Sequence, residues 1–207
     1  MKKNVLIIIP AYNEERTIYQ ILEKIEQVEL IDQIEKEILI IDDGSKDLTF
    51  EKCQQFATAH PNTNIHYYNQ GKGAALRKGI SLATGDWTII QDADLEYDPE
   101  DYNPLLKWMI ENKGKVVYGS RFLNRVNKHS YFRFYLGGRL VSFTTNLLYR
   151  QHLTDEPTCY KFFDTQFLKS IPLVCKGFEF CPEVTAKVCK KGIKIHEIPI
   201  KYYPRSI

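Results

Sequence analysis

Apolar positions in the first hundred residues fall into short unbroken runs separated by stretches with helical spacing. Val5 to Ile9 is apolar throughout, as expected of a strand covered on both faces. The run stops at Pro10. Across 13–28, Ile18, Ile21, Leu22, Ile25 and Val28 recur at helical intervals and predict a helix with one apolar face. The alternation continues with a strand over 37–42, a helix from about 46 to 59 and a strand over 64–69. Gly71 and Gly73 then open a helix carrying Ala74, Ala75, Leu76, Ile80 and Leu82, and a fourth strand covers 86–91.

The second half is less regular. Segment 98–112, with Pro99 and acids near its start, reads as a capped helix. "KVVYGSRF" (115–122) reads as a strand entering a loop. Segment 132–150 is an apolar, aromatic and basic helix candidate interrupted by Gly137 and Gly138. "CYKFFD" (159–164) suggests another strand, 178–192 a helix closed by Gly192, and 193–203 an extended segment. The strand–helix order predicts an α/β fold with a mostly parallel, doubly wound sheet and helices on both faces. Such sheets bind ligands outside the carboxyl ends of their strands. Three polar motifs fall there: "PAYNEE" after the first strand, "DDGSKD" after the second and "DADLE" after the fourth.

Length and composition narrow the picture. A chain of 207 residues with 43% hydrophobic content suits a single domain with a full core. The net charge of +2 conceals an asymmetry. No Asp or Glu occurs from Asn112 to Thr154, where Lys113, Lys115, Arg121, Arg125, Lys128, Arg133, Arg139 and Arg150 lie. Such a stretch calls for an anionic partner: a phosphate, a nucleic acid or a membrane surface. The chain has no recognised nucleic-acid-binding motif, which argues against the second. Its five cysteines lack metal-ligand spacing and fit free thiols in a reducing cytoplasm. The apolar run near the start is too short for a signal peptide, and none reaches the roughly 18 residues of a membrane span.

Between Gln91 and Asp101 lie six acidic residues. Asp92, Asp94 and Glu96 alternate, so in extended backbone they point the same way and repel one another. A hard divalent cation, Mg²⁺ or Mn²⁺, relieves that repulsion. The same pattern also suits an acidic turn before a helix; its position at a strand's carboxyl end favours the metal. Asp42 and Asp43 can accept hydrogen bonds from a base or ribose, or form an Asx turn, and the ligand role is assigned to Asp43. "GKGAALRKG" (71–79), with Lys72, can receive an anion at a helix start or serve as a plain strand-to-helix turn. Its spacing is not that of a P-loop.

"IIPAYNEE", "IIDDGSKD", "GKGAALRKG", "QDADLEYDPED", "YGSRF", "LTDEPTCYKFF" and "GFEFCPEVTAKVCKKGIKIHEIPIKYYPRS" occur in the order seen in family 2 glycosyltransferases. The set resembles the branch that makes polyprenyl-phosphate sugars, typified by dolichyl-phosphate mannose synthase, and covers essentially the whole chain. The resemblance implies a GT-A fold in one domain, 1–207, with a nucleotide-sugar-binding half (1–98) and an acceptor-binding half (99–207). It implies an inverting, metal-dependent hexosyltransferase that uses a UDP- or GDP-sugar and a polyprenyl phosphate.

The resemblance also assigns residues. Pro10, Ala11, Tyr12, Glu14 and Asp43 would surround the nucleoside. Asp92 and Ala93 would lie near the ribose and diphosphate, with Asp94 on the metal and Asp92 and Glu96 as further candidate ligands. Arg121 resembles the family arginine near the diphosphate or acceptor phosphate; Arg133, Lys201 and Arg205 are weaker candidates for the same anionic pocket. An ionised phosphate acceptor needs no strong general base, whereas a hydroxyl acceptor does. Asp155 is the candidate base for that case, or else it caps the turn before Pro157. Phe132, Phe134, Tyr135, Phe143 and Tyr149 could rest peripherally on the cytoplasmic membrane face, or else face the core.

Competing readings are a glycan or protein hydroxyl acceptor, a nucleotidyltransferase, a non-catalytic nucleotide-binding module and a phosphoacceptor signalling domain. A nucleotidyltransferase should carry a glycine-rich basic loop where "PAYNEE" stands. A signalling domain places its aspartates after the first strand. Retention of both Asp92 and Asp94 argues against a site that only binds.

Overall fold

The apolar runs become strands in the middle of the molecule. The computed structural model describes residues 3–127 and 132–205, with the backbone alone of residues 132–134. The first half consists of β1 (Asn4–Ala11), α1 (Ile18–Gln27), β2 (Glu35–Asp42), α2 (Thr49–Ala59), β3 (Thr63–Tyr67), α3 (Lys72–Leu82) and β4 (Trp87–Ile90). The second half consists of α4 (Tyr102–Asn112), β5 (Val116–Ser120), α5 (Phe132–Tyr149), β6 (Lys161–Asp164), α6 (Thr165–Lys169), α7 (Phe180–Lys190) and β7 (His196–Pro199).

One sheet contains these strands in the order β3-β2-β1-β4-β6-β5-β7. β1 pairs in parallel with β2 and β4, and β2 with β3. β6 runs antiparallel between β4 and β5, while β7 is parallel to β5. The sheet is therefore mostly parallel, as the alternation predicted, with one reversed strand. β1 is buried from Val5 to Ala11, which is why its sequence lacks a polar face. α1 buries Ile18, Ile21, Leu22 and Ile25, the stripe expected from their spacing.

Local chemistry fixes the element ends. The Asp98 carboxylate accepts from the backbone N–H of Glu100 and caps a 3₁₀ turn, Pro99–Asp101, that leads into α4. Asp164 ends β6 and caps α6 by accepting from Phe167 N–H at 2.7 Å. α5 departs from expectation, since it runs unbroken through Gly137 and Gly138. Each glycine costs about 1 kcal/mol relative to alanine in a helix. Packing of α5 against α7 opposes that cost, and Gly138 lies against Pro157, where an added Cβ would sit 3.4 Å from the ring.

Beyond β7 the chain turns back over the acidic segment. Tyr202 bridges to Tyr97, and Tyr203 N–H donates to the Glu96 carbonyl at 2.8 Å. The returning chain is thus a strap over the segment that follows β4, whose carboxyl end stands beside those of β1 and β2.

Candidate active site

At those three strand ends lies an open cavity of ≈ 700 Å³. Pro10, Ala11, Tyr12 and Glu14 line it from the β1 end, Asp43 from β2, and Asp92, Ala93, Asp94 and Glu96 from β4. Two loops are locked together beside it. Ser45 Oγ accepts from Asn13 N–H, and Asn13 Oδ1 accepts from Lys46 N–H.

The adjacent aspartates have divided roles. Asp42 is fully buried, and its Oδ2 accepts from the N–H groups of Gly44 and Ser45, forming an Asx turn. Gly44 has φ +80°, and an added Cβ would lie 2.4 Å from the Asn69 side chain. Asp43 reaches the cavity. Its Oδ1 accepts from the N–H groups of Gln70 and Gly71 at 2.8 and 2.7 Å, which fixes the glycine-rich turn. Gly71 adopts φ +97°, and a Cβ there would lie 2.4 Å from the Lys176 carbonyl.

Charge alternates across the cavity. Lys72 Nζ donates to Asp92 Oδ1 at 2.6 Å. Burial opposes both charges, but the pairing outweighs it, raising the pKa of Lys72 and lowering that of Asp92. Asp94 is pushed up to about 6, first by burial and then by the Asp92 charge. Arg205 donates to Glu14 Oε1 at 2.7 Å and reaches Asp94 Oδ2 at 3.2 Å. Behind this acidic segment, Gln91 accepts from the hydroxyls of Tyr102 and Tyr160, each at 2.6 Å, and donates to the Asp92 carbonyl. That buried network fixes the backbone carrying Asp92.

The carboxylates suit a divalent cation in part. Asp94 is poorly solvated among other acids and already attracts a cation, the guanidinium of Arg205. Glu96 differs from expectation. Its Oε2 accepts from the Tyr202 hydroxyl and its Oε1 from Arg205 N–H, so it anchors the strap. Among the described residues no three His, Cys, Asp or Glu side chains form a preformed metal cage. A cation held here would rest on Asp94 and Asp92 and draw its remaining ligands from substrate and water.

A second cavity, ≈ 330 Å³, shares Lys72, Asp92, Glu96, Gly177 and Phe178 with the first. Arg121 lines it, together with apolar residues that include Val141, Pro157, Phe178 and Phe180. Arg121 is clamped by Asp155, with Nε to Oδ2 at 2.8 Å, Nη2 to Oδ1 at 2.7 Å and backbone N–H to Oδ2 at 2.9 Å. The guanidinium also lies over the Tyr202 ring at 5.1 Å. Asp155 is fully buried, and both its oxygens receive bonds from Arg121. The general-base role considered for it is thus at odds with the geometry, because a base needs a lone pair facing the acceptor.

Lys201 is another departure. It donates from Nζ to Asp98 and from its backbone N–H to Asp101, and it lines a separate groove with Asn124 and Tyr203. The Arg133 side chain lies outside the described residues. Sequence reading missed Asn69, Gly177 and Phe178, which line the first cavity with Gly71. Of these four, Gly71 alone carried a signal, and it lies in the glycine-rich turn read from the sequence.

Comparison with known proteins identifies the family and the fold. The family model described as Glycosyl transferase family 2 matches residues 6–171. A Methanococcus voltae UDP-N-acetylglucosamine–dolichyl-phosphate N-acetylglucosaminyltransferase is 30% identical over 96% of this chain and 85% of its own length. A dolichol-phosphate mannosyltransferase from Pyrococcus furiosus is 26% identical over 98% of this chain, which spans 57% of that protein. Among solved structures, glucosyl-3-phosphoglycerate synthase from Mycobacterium tuberculosis superposes with a TM-score of 0.69 at 17% identity, covering 99% of this chain and 74% of that one. The same synthase has been solved with Mn²⁺, UDP and glucosyl-3-phosphoglycerate. These neighbours are GT-A proteins, and the likeness shows that fold here.

Proposed function

The chain belongs to glycosyl transferase family 2, and from that premise we propose that it moves a hexose from a UDP- or GDP-sugar to a polyprenyl phosphate with inversion. The observation that carries the reading is the convergence of three strand-end motifs on one cavity flanked by cations. Its ≈ 700 Å³ lies within the range of about 300–1,000 Å³ usual for small-molecule sites. Tyr12, half exposed, offers a face to the base, and Asp43 offers an acceptor to base or ribose. Lys72 and Arg205 flank the place where a diphosphate would lie.

The acceptor reading rests on the second cavity. Arg121 and Lys72 provide positive charge for a phosphate, and Val141, Pro157, Phe178 and Phe180 provide apolar wall. A phosphate oxygen is ionised at neutral pH and attacks without surrendering a proton, which accords with Asp155 being committed to Arg121. The relatives' named acceptor, a dolichyl phosphate, supports the same class. Outside the cavity, α5 exposes Leu136, Leu140, Phe143, Leu147 and Leu148. We read that apolar face as peripheral contact with a bilayer. No helix among the described residues is long and apolar enough to cross a membrane.

In the reaction, the acceptor oxygen attacks the sugar's anomeric carbon as the bond to the nucleoside diphosphate breaks on the opposite face. Charge grows on the departing diphosphate. Lys72 and Arg205 are fixed cations near that charge, and preorganised charge of this kind stabilises a transition state. Mg²⁺ or Mn²⁺ on Asp94 and Asp92 would supply Lewis-acid stabilisation of the leaving group. Arg121, held by Asp155, would orient the attacking phosphate.

The test is the product. Incubation with UDP- and GDP-sugars, Mn²⁺ and a short polyprenyl phosphate should give a sugar lipid extractable into organic solvent, with inverted anomeric configuration. Retained configuration contradicts the mechanism, and sugar found only on a hydroxyl acceptor contradicts the acceptor.

A further inference from the structure

Glu197, on edge strand β7, meets none of the candidate-site residues through its own strand, yet its side chain holds the segment that holds Arg121. Tyr118 of β5 and Glu197 of β7 are register partners. The Glu197 carboxylate accepts three hydrogen bonds from segment 154–155. Oε1 accepts from Asp155 N–H at 2.9 Å, and Oε2 from Thr154 N–H and Oγ1 at 2.6 and 2.8 Å. Thr154 Oγ1 lies 2.6 Å from Ser120 Oγ, which in turn accepts from the N–H groups of Phe122 and Leu123. From segment 154–155 the loop carrying Arg121 is therefore held twice, by Asp155 on the side chain and backbone N–H and by Thr154 through Ser120, beside a separate bond from Asn127 Nδ2 to the Arg121 carbonyl. Both holds depend on Glu197.

We infer that Glu197 is a positioning residue for Arg121, acting through Asp155 and Thr154 to aim the guanidinium into the second cavity. A carboxylate suits this role better than an amide. All three donors point at acceptor lone pairs, and glutamine would present an N–H₂ to at least one of them. Burial raises the Glu197 pKa, and the three hydrogen bonds oppose that shift only in part, so the case for an acceptor-only group rests on the three donors that face it. The inference rests on the proposed function only in naming the Arg121 ligand as a phosphate; the positioning itself is geometric.

Two measurements test it on the full chain. In wild type the Arg121 Nε–H, identified as the resonance lost in Arg121→Lys, should exchange slowly with water. Glu197→Gln should speed that exchange at least tenfold. His196→Ala removes the ring stacked on Trp108 at 5.0 Å and perturbs the same strand without touching segment 154–155, so it should leave the exchange unchanged. Unchanged exchange in Glu197→Gln, or equal acceleration in His196→Ala, overturns the inference.

The second measurement is a double-mutant cycle on transfer to a short polyprenyl phosphate. Glu197→Gln should raise the acceptor KM with little change in the donor KM, and should add less than twofold to the loss in Arg121→Lys. Full additivity overturns the inference. Absence of transfer by the wild type would defeat the proposed function, while the exchange comparison would still decide the positioning.

Discussion

The guanidinium of Arg121 meets the carboxylate of Asp155 through two hydrogen bonds of 2.7 and 2.8 Å, and the Arg121 backbone adds a third to the same carboxylate. Asp155 is fully buried, whereas Arg121 lines the second cavity. The carboxylate is thus a support and the arginine the group that faces the cavity. Removing one member of a buried pair costs about 3–5 kcal/mol. Asp155→Ala should therefore lower unfolding free energy by about 3 kcal/mol and reduce transfer by about 100-fold. Asp155→Asn should keep the wild-type pH profile at a lower rate. Loss of the acidic limb of that profile in Asp155→Asn would instead identify a general base.

Glu96 and Asp94 lie two residues apart and should respond differently. Both Glu96 oxygens serve the strap, through the Tyr202 hydroxyl and Arg205 N–H. Glu96→Gln should leave the Mn²⁺ concentration for half-maximal activity within about twofold of wild type, while loosening the C-terminal segment to proteolysis. Asp94→Ala should abolish metal-dependent activity, since metal chemistry supplies several kcal/mol of charge stabilisation. A tenfold rise in the metal requirement of Glu96→Gln would place Glu96 among the ligands.

Stability carries a pH signature at Asp101. Burial pushes its carboxyl up to about 6, although Lys201 N–H donates to it at 2.6 Å. The folded state then holds a proton more tightly than the unfolded state, whose carboxyl sits at the ordinary 3.8. Stability contributed by this group is present below that ordinary value and falls as pH rises toward 6. The loss is on the order of 2–3 kcal/mol for a shift of this size. Asp101→Asn keeps an acceptor for Lys201 and should remove that slope, making the variant comparatively more stable at pH 7 than at pH 4. Parallel stability curves for variant and wild type in chemical denaturation would contradict this.

Leu140 and Phe143 on α5 are each exposed by more than 60% and lie on one face with Leu136 and Leu147. If that face meets lipid, the double substitution Leu140→Glu, Phe143→Glu should cut co-sedimentation with anionic vesicles at least tenfold without lowering the melting temperature. Undiminished vesicle binding would move the contact elsewhere.

Much of this site was legible because its parts lie at strand ends, where the sequence changes abruptly from apolar to acidic or glycine-rich. Pro10, Asp43, Lys72 and Asp94 all line the predicted cavity for that reason. Asn69 and Phe178 gave no such signal, because tertiary folding alone brings the end of β3 and the turn before α7 to the cavity rim. Lys201 was misplaced because a lone cation in a sequence does not show which acid will take it; here Asp98 does. The uninterrupted α5 follows the same lesson, since Gly137 and Gly138 lower helix propensity but packing against α7 opposes the effect. Glu197 shows the limit most clearly. Its alternating neighbours identify a strand, but only the fold shows that its carboxylate supports Asp155 and Thr154.

Release of nucleoside diphosphate from UDP- and GDP-sugars in the presence of Mn²⁺, with and without a short polyprenyl phosphate, tests the central claim most directly. Release should come from one nucleotide class, rise at least tenfold on adding the lipid phosphate and vanish in Asp94→Ala. Release at the same rate without the lipid, or release that survives Asp94→Ala, would contradict it.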